Sequence, residues 1–220
     1  MKKVVLFTFI VFISMFVAIA VSCSKGGDEE KSYEFSVHHS GSSSHPYQLG
    51  AEYFDKKLQE YSKGSMKLAI YPANQLAAGS KSVEGTALGT IDIFIENPSS
   101  VGNVVTSFEA LNLPYLFDSA EQAFAVMDSE ECKIFCDACE EAGIKLLGYW
   151  YNGWRNVSNG KRPIKKVEDL KGLSIRIAES QVFSDMMEAL GMQPVPLANS
   201  EIFTALQMKT VDGQENPQNN

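Results

Sequence analysis

Three arginines, Arg155, Arg162 and Arg176, stand within 22 consecutive residues of a chain whose other 16 cations are all lysine. Lysine offers a point charge. Arginine offers a planar fork of N–H donors that matches a carboxylate. A switch from lysine to arginine can therefore mark a site that needs the fork, or an internal ion pair with one of the many Asp and Glu residues. Arg176 is the sharper case, because it lies inside the apolar run Leu173-Ser174-Ile175-Arg176-Ile177. A guanidinium in an apolar strand is costly unless it meets an anion. Arg155 follows the aromatic stretch Tyr149-Trp150-Tyr151-Asn152-Gly153-Trp154. The residues themselves leave anion capture and internal pairing equally open.

Two other groups could carry chemistry. Cys132, Cys136 and Cys139 form C-x3-C-x2-C, a spacing used to hold iron–sulfur clusters. Here the segment from Glu130 to Glu141 reads as continuous helix, which cannot wrap around a cluster. The three sulfurs then fall on one strip beside Phe124, Phe135, Ala138 and Ala142, and small buried thiols on a packed helix explain them better. His38 and His39 are neighbours at a strand end, so their side chains face opposite ways, a poor geometry for one metal. His45-Pro46 reads as a helix start. No Walker loop, G-x-G-x-x-G or G-x-S-x-G occurs. Gly41-Ser42-Ser43-Ser44 could cradle an anion before a helix, and is more simply a capped loop.

The elements that must position these residues alternate. Strands are expected at Tyr33–Val37, Met66–Tyr71, Ile91–Ile95, Ile144–Trp150, Leu173–Ile177 and Thr210–Gln214. Helices are expected at Pro46–Tyr61, Ser80–Leu88, Val182–Leu190 and Ser200–Met208, and over Ser119–Ala142 with a break near Asp128-Ser129. This is the pattern of an α/β fold with a mainly parallel sheet, whose ligands bind at the carboxyl ends of strands. A chain of 220 residues with 45% hydrophobic and 21% charged residues can bury a core. Its net charge of −8 makes nucleic acid a poor partner, because phosphate contacts need surplus cations.

The chain begins Met1-Lys2-Lys3, followed by a charge-free apolar run from Val4 to Val21. A basic start, an apolar run and a small residue before the break read as an export signal over residues 1–22. Ala20-Val21-Ser22-Cys23 resembles a bacterial lipobox, with Cys23 as the acylated residue and residues 23–32 as a lipidated tether that holds the protein to the membrane. An uncleaved anchor or a plain signal peptide is the alternative. Loss of Lys2 and Lys3 leaves 17 cations against 27 acids, a net charge of −10.

The ordered motifs Gly153-Trp154-Arg155-Asn156-Val157-Ser158-Asn159, Arg162-Pro163-Ile164, Asp169-Leu170-Lys171-Gly172-Leu173-Ser174-Ile175-Arg176-Ile177, Ala189-Leu190-Gly191-Met192-Gln193-Pro194-Val195-Pro196, Ser200-Glu201-Ile202-Phe203-Thr204-Ala205-Leu206-Gln207 and Val211-Asp212-Gly213-Gln214-Glu215-Asn216-Pro217 resemble the substrate-binding subunit of TRAP transporters, the DctP-type family. Ile70-Tyr71-Pro72-Ala73-Asn74-Gln75-Leu76 and Leu113-Pro114-Tyr115-Leu116-Phe117 fit the same pattern. The resemblance covers about residues 33–217.

It implies a two-lobed periplasmic-binding-protein-like fold of class II type. The first lobe spans residues 33–151. The second spans 152–220 and is incomplete, because chains of this family continue well beyond the last motif. It implies that Arg176 pairs with a ligand carboxylate, that Arg155 approaches the ligand or its water shell, and that Asn216, Glu96 and His38 line the site. Asn199 falls where a ring often packs on the ligand, and Trp154 stands beside Arg155. Ala77-Ala78 departs from the usual glycine and acid after Gln-Leu. The expected activity is capture of a small organic acid in the periplasm or at the outer face of the membrane, and delivery to TRAP permease subunits. No catalysis, cofactor or metal is implied. A ligand-binding module of a sensory system is the alternative, because it shares the same ligand site. An iron–sulfur enzyme is the third and weakest reading. Arg162, in an Arg-Pro-Ile turn, looks structural.

Overall fold

The structure, a computed structural model, describes residues 31–218. The expected export signal at 1–22, Cys23 and nearly all of the expected tether lie outside the described residues. No helix among the described residues is long and apolar enough to cross a membrane.

Two sheets are present. The first has three strands, β1 (Tyr33–His39), β2 (Met66–Tyr71) and β3 (Ile93–Ile95), in the order β2-β1-β3. β1 and β3 run parallel, with His38 opposite Phe94 and His39 opposite Ile95. α1 (Pro46–Tyr61) follows β1. Its first turn is fixed by Pro46 and by the Nδ1 of His45, which accepts from the Tyr47 N–H at 3.1 Å. Ala51 on this helix meets Val37 and Leu68 in a core completed by Phe54, Leu58 and Ile70. α2 (Ser80–Ala87), α3 (Pro98–Gly102) and a 3-10 turn at Thr106–Asn112 come next. The Oδ1 of Asn97 caps α3 by accepting from the Ser99 and Ser100 amides. α4 (Ala120–Met127) and α5 (Lys133–Glu141) are separated at Asp128-Ser129, as the sequence predicts, although a 3-10 turn (Glu130–Cys132) interrupts the expected continuous helix.

The second sheet has the order β4-β7-β5-β6, from β4 (Arg155–Asn159), β5 (Ser174–Ile177), β6 (Gln193–Pro196) and β7 (Gly213–Pro217). β5 is parallel to β6 and β7, while β4 is antiparallel to β7. α6 (Gln181–Ala189), capped by Ser180, buries Phe183 and Met187 against Leu173, Ile175 and Ile177. α7 (Ile202–Gln207) precedes β7.

Several expectations are corrected. Ile144–Trp150 is not a strand: it pairs with neither sheet, and with β3 it lines an apolar groove of about 520 Å³. The last strand starts at Gly213 rather than Thr210, because Asp212 turns its Oδ2 to the Ser174 N–H and the Lys161 ammonium, each at 2.9 Å. β4 and β6 were not expected. β6 carries Pro194 and Pro196, which an edge strand tolerates because one side needs no donors.

Candidate functional site

The carboxyl ends of β1, β3, β5 and β6 converge on one cleft, together with residues of β4 and β7. This is where an α/β sheet presents its ligand site. The space open to water between these residues is small, about 30 Å³, room for about two waters. The two halves touch across it: Asn103 Nδ2 donates to the Glu179 carbonyl at 2.8 Å, Ser180 Oγ donates to Glu109 Oε2 at 2.7 Å, and Asn199 Nδ2 donates to the Ser40 carbonyl at 3.3 Å.

Arg176 enters this cleft from β5, where its neighbours in register are Val195 of β6 and Gln214 of β7. It is 3% exposed. Its Nε and Nη2 both donate to the Leu197 carbonyl, at 2.9 and 2.6 Å. That bond aims the guanidinium and leaves Nη1 without a protein acceptor among the described residues. Burial pulls its pKa down to about 10, so it remains charged at neutral pH.

Arg155 also lines the cleft, but its charge is already matched. Its Nε and Nη2 grip the two carboxylate oxygens of Glu215 at 2.6 and 2.8 Å. Nη2 also reaches Asn216 Oδ1 at 3.2 Å, and the guanidinium carbon lies 4.9 Å from the Phe183 ring centroid. Glu215 is 2% exposed, so this is a bidentate, nearly dry ion pair. Arg162 ties down its own turn: Nε and Nη2 donate to the Asp169 and Lys171 carbonyls.

Of the residues expected at the site, the structure brings Arg176, Arg155, Asn216, Glu96 and Asn199 to the wall of this cleft. It does not bring His38 or Trp154 there. His38 is fully buried behind Glu96, with its Nε2 3.4 Å from Glu96 Oε1. Trp154 is half-exposed and does not line the cleft. His39 lies on the other face of β1, where its Nε2 meets Gln48 Oε1 at 3.0 Å and burial lowers its pKa. Burial likewise raises the pKa of Tyr47.

Asn74, Asn97, Ser100, Asn152 and Glu179 line the cleft and were missed. One signal existed. Asn74 has a φ of +61°, following Ala73 at +52°, and Asn after Pro72-Ala73 is a residue that tolerates this left-handed turn. The cysteines stand elsewhere. Cys139 is buried in the core with Phe108 and Phe135, and Cys132 packs against that core. Burial pushes the Cys139 thiol up, which makes it a poor nucleophile and ligand. Among the described residues no group of His, Cys, Asp and Glu is placed to hold a metal ion.

Residues 37–220 match the profile of the bacterial extracellular solute-binding proteins, family 7, or DctP. The chain is 33% identical over 171 residues to the 2,3-diketo-L-gulonate-binding periplasmic protein YiaO of Escherichia coli K12, covering 78% of this chain and 52% of that one. Two crystal structures of TRAP periplasmic solute-binding proteins superpose on it with TM-scores of 0.81 and 31% identity. One, from Polaromonas sp. JS666, is bound to D-erythronate and matches 84% of this chain and 61% of its own. The other, from Sulfurospirillum deleyianum, is bound to succinate and matches 86% and 61%. The chain thus spans about half the length of the curated relative and three fifths of the solved ones. Its two sheets with flanking helices are the α/β lobes of these proteins. By the extent of this match the chain belongs to the DctP family of bacterial extracellular solute-binding proteins.

Proposed function

We propose that this protein is an exported receptor that binds a small organic acid by its carboxylate and hands it to the permease subunits of a TRAP transporter. The family consists of non-enzymatic ligand carriers. The carrying observation is Arg176. It is buried, charged and aimed by Leu197, while the charge of the neighbouring Arg155 is matched by Glu215. An anion seated against Arg176 finds charge-assisted donors in a space with little water, where they act more strongly than in solution. The contacts across the cleft support a second element of the proposal: ligand bridging favours the apposed arrangement over a separated one.

The periplasmic relatives and the signal-like residues 1–22 support export. Retention at the membrane through Cys23 is a separate proposal, tested by incorporation of a labelled fatty acid into the wild-type protein and its absence in Cys23→Ser.

Calorimetric titration of the full-length protein with a panel of organic acids tests the main reading. A carboxylate ligand is expected to bind, and Arg176→Ala to weaken it by about 100-fold or more, the worth of two charged hydrogen bonds at 1.5–3 kcal/mol each. No carboxylate binding, or equal binding by the variant, refutes it.

A further inference from the structure

Relatives of equal similarity hold a hydroxylated monoacid in one case and a diacid in the other, so likeness does not choose between them. The cleft itself does. We infer that the ligand is a polyhydroxylated monocarboxylate, a sugar acid, and not a dicarboxylate; this rests on the receptor reading above.

Charge limits the ligand to one carboxylate. Arg155 and Arg176 are the only cations on the cleft wall among the described residues, and Arg155 is spent on Glu215. One guanidinium remains, and it neutralises one carboxylate. The wall also carries two carboxylates, Glu96 and Glu179. A second ligand carboxylate would have to desolvate beside these acids with no cation to meet it.

The hydrogen-bonding groups of the wall call for ligand donors. Three buried acceptor oxygens on the wall have no hydrogen-bond donor among the described residues: Asn74 Oδ1, Asn152 Oδ1 and Glu96 Oε1. The last faces His38 Nε2 at 3.4 Å without hydrogen-bond geometry. Acceptors need donors. An ionised dicarboxylate brings none, whereas a sugar acid brings an O–H on nearly every carbon. The three oxygens come from three separate segments, so donors are wanted at several points along the ligand. A site whose polar atoms are paired only by ligand hydroxyls rejects an analogue that lacks them, by about 10⁴-fold in strong cases.

The test compares acids of equal length, so that size is not confounded with chemistry. The full-length protein is titrated with D-erythronate, succinate, butyrate and L-threonine in the four-carbon set. The six-carbon set is D-galactonate, adipate, hexanoate and galactarate. The hydroxylated monoacid of one set is expected to bind at least about 100-fold tighter than the diacid, the plain acid and the amino acid of that length, and tighter than the hydroxylated diacid. Asn74→Leu is expected to weaken the sugar acid about 10-fold and to leave the plain acid unchanged. Equal or tighter binding of a diacid or amino acid overturns the inference and leaves the receptor reading standing. Equal weakening of both acids by Asn74→Leu assigns that residue a structural role and removes the acceptor argument. If no acid in either set binds, the receptor reading falls and the inference with it.

Discussion

The pair Arg155–Glu215 allows an asymmetric prediction. Arg155 lies on β4 and Glu215 on the antiparallel β7, so the pair staples the two strands. The Glu215 side chain is 3% exposed and that of Arg155 is 23% exposed. Arg155→Leu leaves a carboxylate buried without its cation, which costs about 3–5 kcal/mol. Glu215→Gln leaves a guanidinium that keeps its edge in water, and it retains the Glu215 backbone carbonyl at 3.3 Å and Asn216 Oδ1 at 3.2 Å. That change costs about 1–2 kcal/mol. The double variant removes the orphaned charge and is expected to be more stable than Arg155→Leu alone. Urea unfolding followed by the fluorescence of Trp150 and Trp154 measures all three. With a denaturant slope of about 2 kcal/mol/M, the midpoint falls by roughly 1.5–2.5 M for Arg155→Leu and by roughly 0.5–1 M for Glu215→Gln. Equal shifts, or a larger one for Glu215→Gln, refute the claim that burial of the carboxylate dominates the pair.

Three further outcomes follow from local geometry. Gly213→Ala drives a Cβ into the Ser158 carbonyl oxygen and to 2.8 Å from the Asn159 Cα, both backbone, so a loss of about 3 kcal/mol or more is expected; an unchanged melting temperature would show that β4 yields freely. His39 has its pKa lowered chiefly by burial, so the unfolded chain binds its proton first. Stability is constant above the ordinary value of 6.5 and falls as pH drops below it, and His39→Gln is expected to flatten that fall in melts between pH 7 and 5. Asp212 is held below its ordinary 3.8 by the Ser174 amide first and by Lys161 next. Its contribution is present above that value and lost as pH falls further, so Asp212→Asn is expected to shallow the acid unfolding curve below pH 4, and an unaltered curve would remove Asp212 as a source of acid lability.

The parts of the fold legible in the sequence are those whose signals are local. Pro46 at a helix start, the apolar spacing through Leu58 and the strand ending at Pro72 are fixed by near neighbours, and α1 and β2 fall where expected. β6 was hidden because Pro194 and Pro196 argue against a strand unless its place at the sheet edge is known. β4 was hidden because Arg155-Asn156-Val157-Ser158-Asn159 is polar on both faces, and its pairing partner lies about 60 residues further on. Ile144–Trp150 has strand composition but no partner strand, and composition does not reveal that. Among site residues, scarcity exposed the arginines. Asn152 and Glu179 sit in loops that only the meeting of two sheets makes neighbours, and no pattern along the chain marks them.

Of the two readings left open for the arginines, internal pairing holds for Arg155, and anion capture is the proposal for Arg176. Arg155 takes the internal pair and Arg176 takes only a carbonyl. The division is made by β7. Glu215 points to Arg155 with both oxygens, while Gln214, in register with Arg176, is neutral. An acid at position 214 would place a carboxylate beside the second guanidinium. If Arg176 holds the ligand carboxylate as proposed, a glutamine-to-glutamate exchange at 214 is expected to abolish binding of any acid in calorimetric titration while leaving the Arg155–Glu215 staple in place.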